Sequence, residues 1–191
     1  HFIENISKEQ SKALVLVFTN LMNRKATSLG CNSTHYITPN GLDASDDTDI
    51  HSTTAYELAV VMSYCIKNEH FLSITQTHDY SFTSLSGRKY SVSNANAFLN
   101  MYDNIISGKT GFTGDAGYCY VCAYKDNDRT FIVALLACGW PDNKTYKWSD
   151  AKHLLDYARA SYTKQDILIC PKVFNIKIKN GSKSSIDILF D

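Results

Sequence analysis

Apolar side chains recur at helical spacing through Leu14, Val17, Phe18, Leu21, Met22 and Leu29, preceded by S-x-x-Q at Ser7 and stopped by Gly30. The period, the capping-box start and the glycine stop predict an amphipathic helix with a core-facing stripe. A second core helix is predicted from Thr54, where T-x-x-E opens the pattern, to about Lys67. Ala55, Leu58, Ala59, Met62 and Ile66 share one of its faces. Between the two, residues 31–52 hold Pro39-Asn40-Gly41 and the acidic run Asp43, Asp46, Asp47 and Asp49. Turn formers at this density predict an extended loop. The carboxylates lack the alternation, the glycine and the distant glutamate of a calcium loop, so the run reads as solvated.

Beyond residue 70 the pattern changes from helical to β. "ITQTHDYSF" and "GRKYSVSN" predict short strands with exposed turns. Tyr118–Tyr124 and Thr130–Cys138 are apolar enough to lie centrally in a sheet, joined by Lys125-Asp126-Asn127-Asp128 as a hairpin turn. A third helix is predicted after Ser149, with Ala151, Leu154, Leu155 and Ala158 as its buried stripe. From Ser161 the chain alternates through "VFNIKIK", turns at Asn180-Gly181 and continues as "SIDILF". This tail predicts a β-hairpin over 161–191, the start of a separate β domain, after a main domain over 1–160.

Composition narrows the classes of function. Lys plus Arg equals Asp plus Glu at 19 each among 191 residues, so no overall field draws the chain to nucleic acid or anionic lipid. The longest apolar runs, "ALVLVF" and "IVALLAC", fall far short of the ~20 residues that span a bilayer, and no signal peptide is visible. The chain reads as soluble and, opening on His1, as part of something longer. Cys119 and Cys122 lie three apart in a strand, so their side chains leave opposite faces, and no second C-x-x-C follows. Core cysteines are favoured over metal ligands there, and equally at Cys31, Cys65, Cys138 and Cys170. N-x-S/T triplets at Asn5, Asn32, Asn143 and Asn180 read as chance in an Asn-rich sequence.

One stretch carries candidate chemistry. "NIISGKTGFTGDAGYCYVCAY" sets Lys109, Thr110 and Gly111 at the mouth of a run that otherwise reads as a central strand. The ammonium attracts a carboxylate and the hydroxyl hydrogen-bonds it. With no side chain at Gly111, an extended peptide can lie along the backbone as an added strand. The amide of Phe112 then meets a developing oxyanion, where one donor is worth about 3 kcal/mol in the transition state.

K-T-G is a mark of penicillin-binding proteins and serine β-lactamases. "MNRKATSLG" at 22–30, "THYITPNGL" at 34–42, "HSTTAYELA" at 51–59 and "GKTGFTGDAGYCYV" at 108–121 resemble, in order and spacing, blocks of the serine D-alanyl-D-alanine carboxypeptidases. These are low-molecular-mass penicillin-binding proteins. "CGWPDNKTYKWSDAKHLLDYA" at 138–158 is similar to the strand, loop and helix that close their catalytic domain, so the resemblance covers about residues 17–160. It implies an α/β (α+β) fold: a penicillin-binding/β-lactamase-like antiparallel sheet with helices on both faces, here incomplete, plus the short β appendage. It also implies a serine that attacks the penultimate D-Ala carbonyl of a peptidoglycan stem peptide, expels terminal D-Ala and is acylated by β-lactams. By match to the motif, Lys109 would bind the substrate carboxylate, Thr110 would hydrogen-bond it, Gly111 would admit the peptide and Phe112 would lend its N–H to the oxyanion hole. The implied location is extracytoplasmic, in a bacterial cell envelope, with no cofactor and no metal.

The departures from the family pattern matter as much. This chain is expected to lack the S-x-x-K that carries the nucleophile. S-x-N would fall about where the chain begins, and the first residues offer no match. Lys144 and Lys147 match no motif for a second carboxylate-binding cation. Such a chain would be inactive alone, and a nucleophile segment removed from it is preferred to one on another chain or to a degenerate gene. Apolar surface would then be covered by self-association or by a complementing N-terminal segment. The alternative function is a non-catalytic envelope module that binds peptidoglycan peptides. A zinc peptidase using His35, His51, His78 and His153 fits no H-E-x-x-H spacing, and a cysteine nucleophile has no local signature.

Overall fold

Ser7 and Gln10 exchange hydrogen bonds, each side chain accepting the other's backbone N–H, and this capping box starts helix α1 (Lys8–Ser28). Gly30, at φ +82°, ends it in the left-handed region that glycine tolerates. The computed structural model describes residues 6–47, 49–165 and 173–189. Cys170 and the triplet asparagine Asn5 lie outside the described residues. Thr54 caps α2 (Ala55–Cys65) through the N–H of Glu57, as its T-x-x-E start predicts.

The β reading after residue 70 is corrected in part. Glu69–Thr75 is a short helix, α3, capped by Asn68, whose Oδ1 accepts the N–H groups of His70 and Phe71. The Asn68 cap and the packing of Phe71 against the sheet make this segment helical. The two short strands follow as the hairpin β1 (Asp79–Thr83) and β2 (Lys89–Ser93), and Phe98–Met101 adds a helical turn, α4.

A three-stranded antiparallel sheet of order β3-β4-β5 is built from β3 (Ile105–Thr113), β4 (Gly117–Asp126) and β5 (Arg129–Leu135). The β4–β5 turn is tighter than expected, holding only Asn127 and Asp128, with Asn127 at φ +54°. Strand alternation divides the core in two. Tyr120, Cys122 and Tyr124 pack with Phe98 of α4 and with Ala151 and Leu155 of α5 (Tyr146–Ser161). Val121 and Ala123 pack on the other face with Leu58 and Met62 of α2 and Phe71 of α3. The sheet thus carries helices on both faces. α5 begins three residues before Ser149, and Leu154 of its expected stripe is 45 % exposed, because Ala151 and Leu155 alone turn fully into the core.

The apolar stripe of α1 is not core either. Leu14, Phe18 and Leu21 are each more than half exposed, while Thr19 and Ala26 are the buried positions. Periodicity reports an apolar face but not what covers it. Among the cysteines, Cys31 and Cys122 are buried, while Cys65, Cys119 and Cys138 are half-buried free thiols.

Residues up to Ser161 make one compact unit and those from Tyr162 a second. The second contains the antiparallel pair β6 (Val173–Lys177) and β7 (Ser185–Leu189). Asn180 takes φ +63° in the connection.

Candidate functional site

Lys109, Thr110, Gly111 and Phe112 lie in the second half of β3, opposite Val121, Tyr120, Cys119 and Tyr118 of β4. The expectation that Lys109 opens a central strand is corrected: β4 is central and β3 is an edge. The continuous apolar run of β4 marks burial on both faces, whereas the polar K-T-G stretch fits an edge with one side open.

Backbone bonds fix which groups that edge displays. The N–H of Tyr118 donates to Gly139 O at 2.8 Å, and the N–H of Cys138 donates to Tyr118 O at 2.7 Å. Tyr118 therefore spends both its groups on the far side of β4. Phe112, opposite it, forms a non-hydrogen-bonded pair, so its own N–H and C=O point away from the sheet. By the two-residue alternation those of Thr110 do the same, and the Thr110 carbonyl receives the ammonium of Lys109. Gln76 caps the beginning of this edge, its Nε2 donating to Ile106 O at 2.9 Å.

The two glycines on β3 differ in purpose. A Cβ at Gly108 would lie 2.5 Å from Asn96 Nδ2 and 3.0 Å from the Tyr120 hydroxyl, so packing requires glycine there. A Cβ at Gly111 would meet nothing within 4 Å, and its φ is not positive. Neither packing nor conformation calls for glycine at 111, and the space beside it is open. Beneath Gly108, Asn96 is buried, accepts the Tyr120 hydroxyl at 2.8 Å, and its Nδ2 has no hydrogen-bond partner among the described residues. Burial pushes the ionisation of Tyr120 far above the ordinary tyrosine range, so this hydroxyl remains a donor.

An open cleft of about 410 Å³ runs along this edge, with Lys109, Thr110, Gly111 and Phe112 as one wall. Asn40, Gly41 and Leu42 from the loop, Ala95, and Tyr118, Lys147 and Trp148 complete the lining. The Phe112 ring lies 4.5 Å from that of Tyr118. Lys147, which no motif singles out, lines the cleft, whereas Lys144 does not. Lys147 is 7 % exposed, with its ammonium 4.4 Å from the Tyr118 ring and 4.7 Å from the Trp148 ring, and donates to Lys144 O. Burial lowers its ammonium pKa, partly offset by Cys138 and reinforced by Lys144. Its only sequence signal is a lysine flanked by aromatics in the first turn of α5.

Three S-x-x-K tetrads do occur, which corrects the expectation that there are none: Ser86–Lys89, Ser149–Lys152 and Ser161–Lys164. They fall in the β1–β2 turn, on α5 and at its end, and none of these serines lines the cleft. Among the described residues the candidate site is a strand-edge cleft lined by Lys109 and Lys147, with no serine in it.

This architecture is that of the penicillin-binding proteins and DD-transpeptidases. The Streptomyces K15 DD-transpeptidase superposes with a TM-score of 0.69 at 26 % identity, over 83 % of this chain and 59 % of that one. A D-alanyl-D-alanine carboxypeptidase from Mycobacterium tuberculosis H37Rv superposes with a TM-score of 0.68 at 31 % identity, over 76 % and 54 %. The model of the D-alanyl-D-alanine carboxypeptidase family, peptidase S11, matches residues 15–138, and the chain belongs to that family. Similar relatives include DacF of Bacillus subtilis, 25 % identical over 90 % of this chain and 42 % of its own length. DacB2 of Mycobacterium tuberculosis is 32 % identical over 73 % of this chain and 47 % of its own. The chain thus spans about half the length of the curated relatives it matches.

Proposed function

We propose that this chain is the substrate-clamping part of a serine D-alanyl-D-alanine carboxypeptidase acting on peptidoglycan stem peptides. The observation that carries the reading is the open edge of β3: outward-facing amides at Thr110 and Phe112, an unneeded glycine between them, and Lys109 beside them. An extended peptide ending in D-Ala-D-Ala pairs along this edge as an added strand. Lys109 neutralises its carboxylate, Thr110 hydrogen-bonds it, and the Phe112 N–H faces the scissile carbonyl where an oxyanion develops. Lys147, lining the same cleft, adds positive charge on the α5 side. The work is placed outside the cytoplasmic membrane, in a bacterial envelope, where peptidoglycan lies.

The acyl-transfer nucleophile comes in this reading from a segment outside the described residues, since no serine among the described residues lines the cleft. Such a segment, or a second copy, would also cover the apolar face of α1. The β-hairpin unit from Tyr162 is read as the start of a C-terminal β domain. A non-catalytic module is the second reading, favoured by that same lack of a serine.

Labelling with fluorescent penicillin tests the proposal. A covalent adduct on the chain joined to its nucleophile segment, lost or much slowed in Lys109→Ala, is the expected result. Saturable, reversible binding of a D-Ala-D-Ala peptide without any adduct selects the module, and binding of neither refutes both readings.

A further inference from the structure

The loop that lines the cleft with Lys109 is held at Tyr36 by two bonds to the Asn23 side chain, and beyond it by an imidazole. His51 Nδ1 accepts the backbone N–H of Ile37 at 3.1 Å and of Thr38 at 3.3 Å. An acceptor at Nδ1 means a neutral ring with its proton on Nε2. Thr38 carries the restraint onward, its Oγ1 donating to Leu42 O at 2.9 Å, while the Leu42 N–H donates to Asn40 Oδ1 at 3.2 Å. Asn40, Gly41 and Leu42 are the segment that lines the cleft. The backbone of His51 holds the returning leg, its N–H donating to Ala44 O at 2.9 Å, and His35 and Ser52 close the base with paired backbone bonds. Farther along, Asp43 Oδ2 accepts the N–H of Asp115 from the β3–β4 turn at 3.3 Å, tying the wall to the clamp strand.

We propose that His51 is a positioning residue for the substrate cleft, setting the Asn40–Leu42 wall through its unprotonated Nδ1. The groups facing it are the Tyr36 ring, edge-on at 5.8 Å, His35 and Asp43. His35 Nε2 lies 3.9 Å from Asp46 Oδ2. Burial, then His35, lowers the His51 pKa below its ordinary 6.5, and Asp43 opposes this. Because the folded value is depressed, the wall is held in full above pH 6.5 and released as pH falls through the folded value. Protonation places a proton on Nδ1 against two N–H donors, which turns both bonds into repulsions.

The test uses the whole 191-residue chain as wild type, His51→Asn, whose Oδ1 reproduces the Nδ1 acceptor without titrating, and His51→Phe, which has no acceptor. Imidazole nitrogen and backbone amide shifts are followed by NMR from pH 8 downward until the His51 midpoint is passed, and affinity for an acetylated L-Lys-D-Ala-D-Ala peptide is measured alongside. In wild type the Ile37, Thr38 and Leu42 amides should move with the His51 midpoint, and peptide affinity should fall about tenfold over that interval. His51→Asn should keep the neutral-pH affinity with a flat profile, and His51→Phe should be about tenfold weaker throughout. A proton on Nδ1 at pH 8, a Leu42 amide unmoved through the titration, or a wild-type pH profile in His51→Asn overturns the proposal. If His51→Phe does not fold, the other two proteins decide. The peptide arm rests on the function proposed above. Should no protein bind the peptide, that function fails while the nitrogen and amide shifts still judge His51.

Discussion

Adding one methyl group to β3 should have opposite consequences three residues apart. At Gly108 the new Cβ falls 2.5 Å from Asn96 Nδ2, 3.0 Å from Tyr120 Oη and 3.1 Å from Asn96 Cγ. Asn96 cannot swing away without cost, because it is buried and its Oδ1 accepts the equally buried Tyr120 hydroxyl. Overpacking costs about 1–3 kcal/mol, and separating the Tyr120–Asn96 pair about 1–3 more if neither group finds a partner. A total of about 2–6 kcal/mol corresponds to roughly 4–24 °C in Tm for a unit of this size. At Gly111 nothing lies within 4 Å, so Gly111→Ala should melt with wild type or up to ~1 kcal/mol above it, through a stiffer unfolded chain. Its cost appears only in ligand capture, where the methyl stands on the approach to the strand edge. Calorimetric melting of both variants, with reversible binding of a D-Ala-D-Ala peptide measured below the transition, separates the effects. A Gly108→Ala protein melting within about 2 °C of wild type, or equal destabilisation at both positions, refutes the division into a packing glycine and a substrate glycine.

Two further predictions concern what holds the clamp in place. Phe98 is fully buried and stacks between Tyr102 and Trp148 at 5.4 and 6.0 Å, so Phe98→Ala should lose about 3–5 kcal/mol in chemical denaturation, beyond what a surface change allows. Glu57 accepts Thr34 Oγ1 at 2.5 Å and the Ser33 N–H at 2.9 Å, bonds that hold its carboxyl below the ordinary value of 4.5. The sign follows: this stabilisation is present above the unfolded carboxyl's pKa and is lost as pH falls through the folded one. Wild type should therefore lose stability below about pH 4.5, and Glu57→Gln should be weaker at neutral pH with a flatter acid limb.

Local signals were legible in the sequence and long-range ones were not. The caps at Ser7 and Thr54 could be read because a capping side chain and the amide it satisfies lie within three residues. The apolar runs of β4 and β5 could be read as strands because strands covered on both faces need no alternation, but only β4 is central as expected: β5 ends at Leu135 and forms the other edge of the described sheet. α3 could not, since only the Asn68 cap argues locally for helix and the packing of Phe71 against the sheet is long-range. K-T-G marked the candidate stretch, but its place on an edge depends on which strands pair, and pairing partners leave no mark on a single segment. Lys147 illustrates the same limit. Its burial comes from Tyr118, nearly thirty residues earlier, and from the packing of α5, so from sequence alone it resembles any solvated lysine. The α1 stripe was legible as apolar, whereas its exposure depends on what is, or is not, packed against it.

The central claim is that the outward amides of β3 and the Lys109 ammonium together hold the free acid end of a wall peptide. The most direct measurement is an amide-shift titration of this chain with L-Lys-D-Ala-D-Ala as the free acid and, separately, as its C-terminal amide. The account predicts saturable shifts at the edge-facing N–H groups of Thr110 and Phe112, much smaller ones at the ladder-bonded Lys109 and Gly111, and strong weakening when the acid is capped. Equal response to acid and amide, or shifts that leave Thr110 and Phe112 untouched, would contradict it.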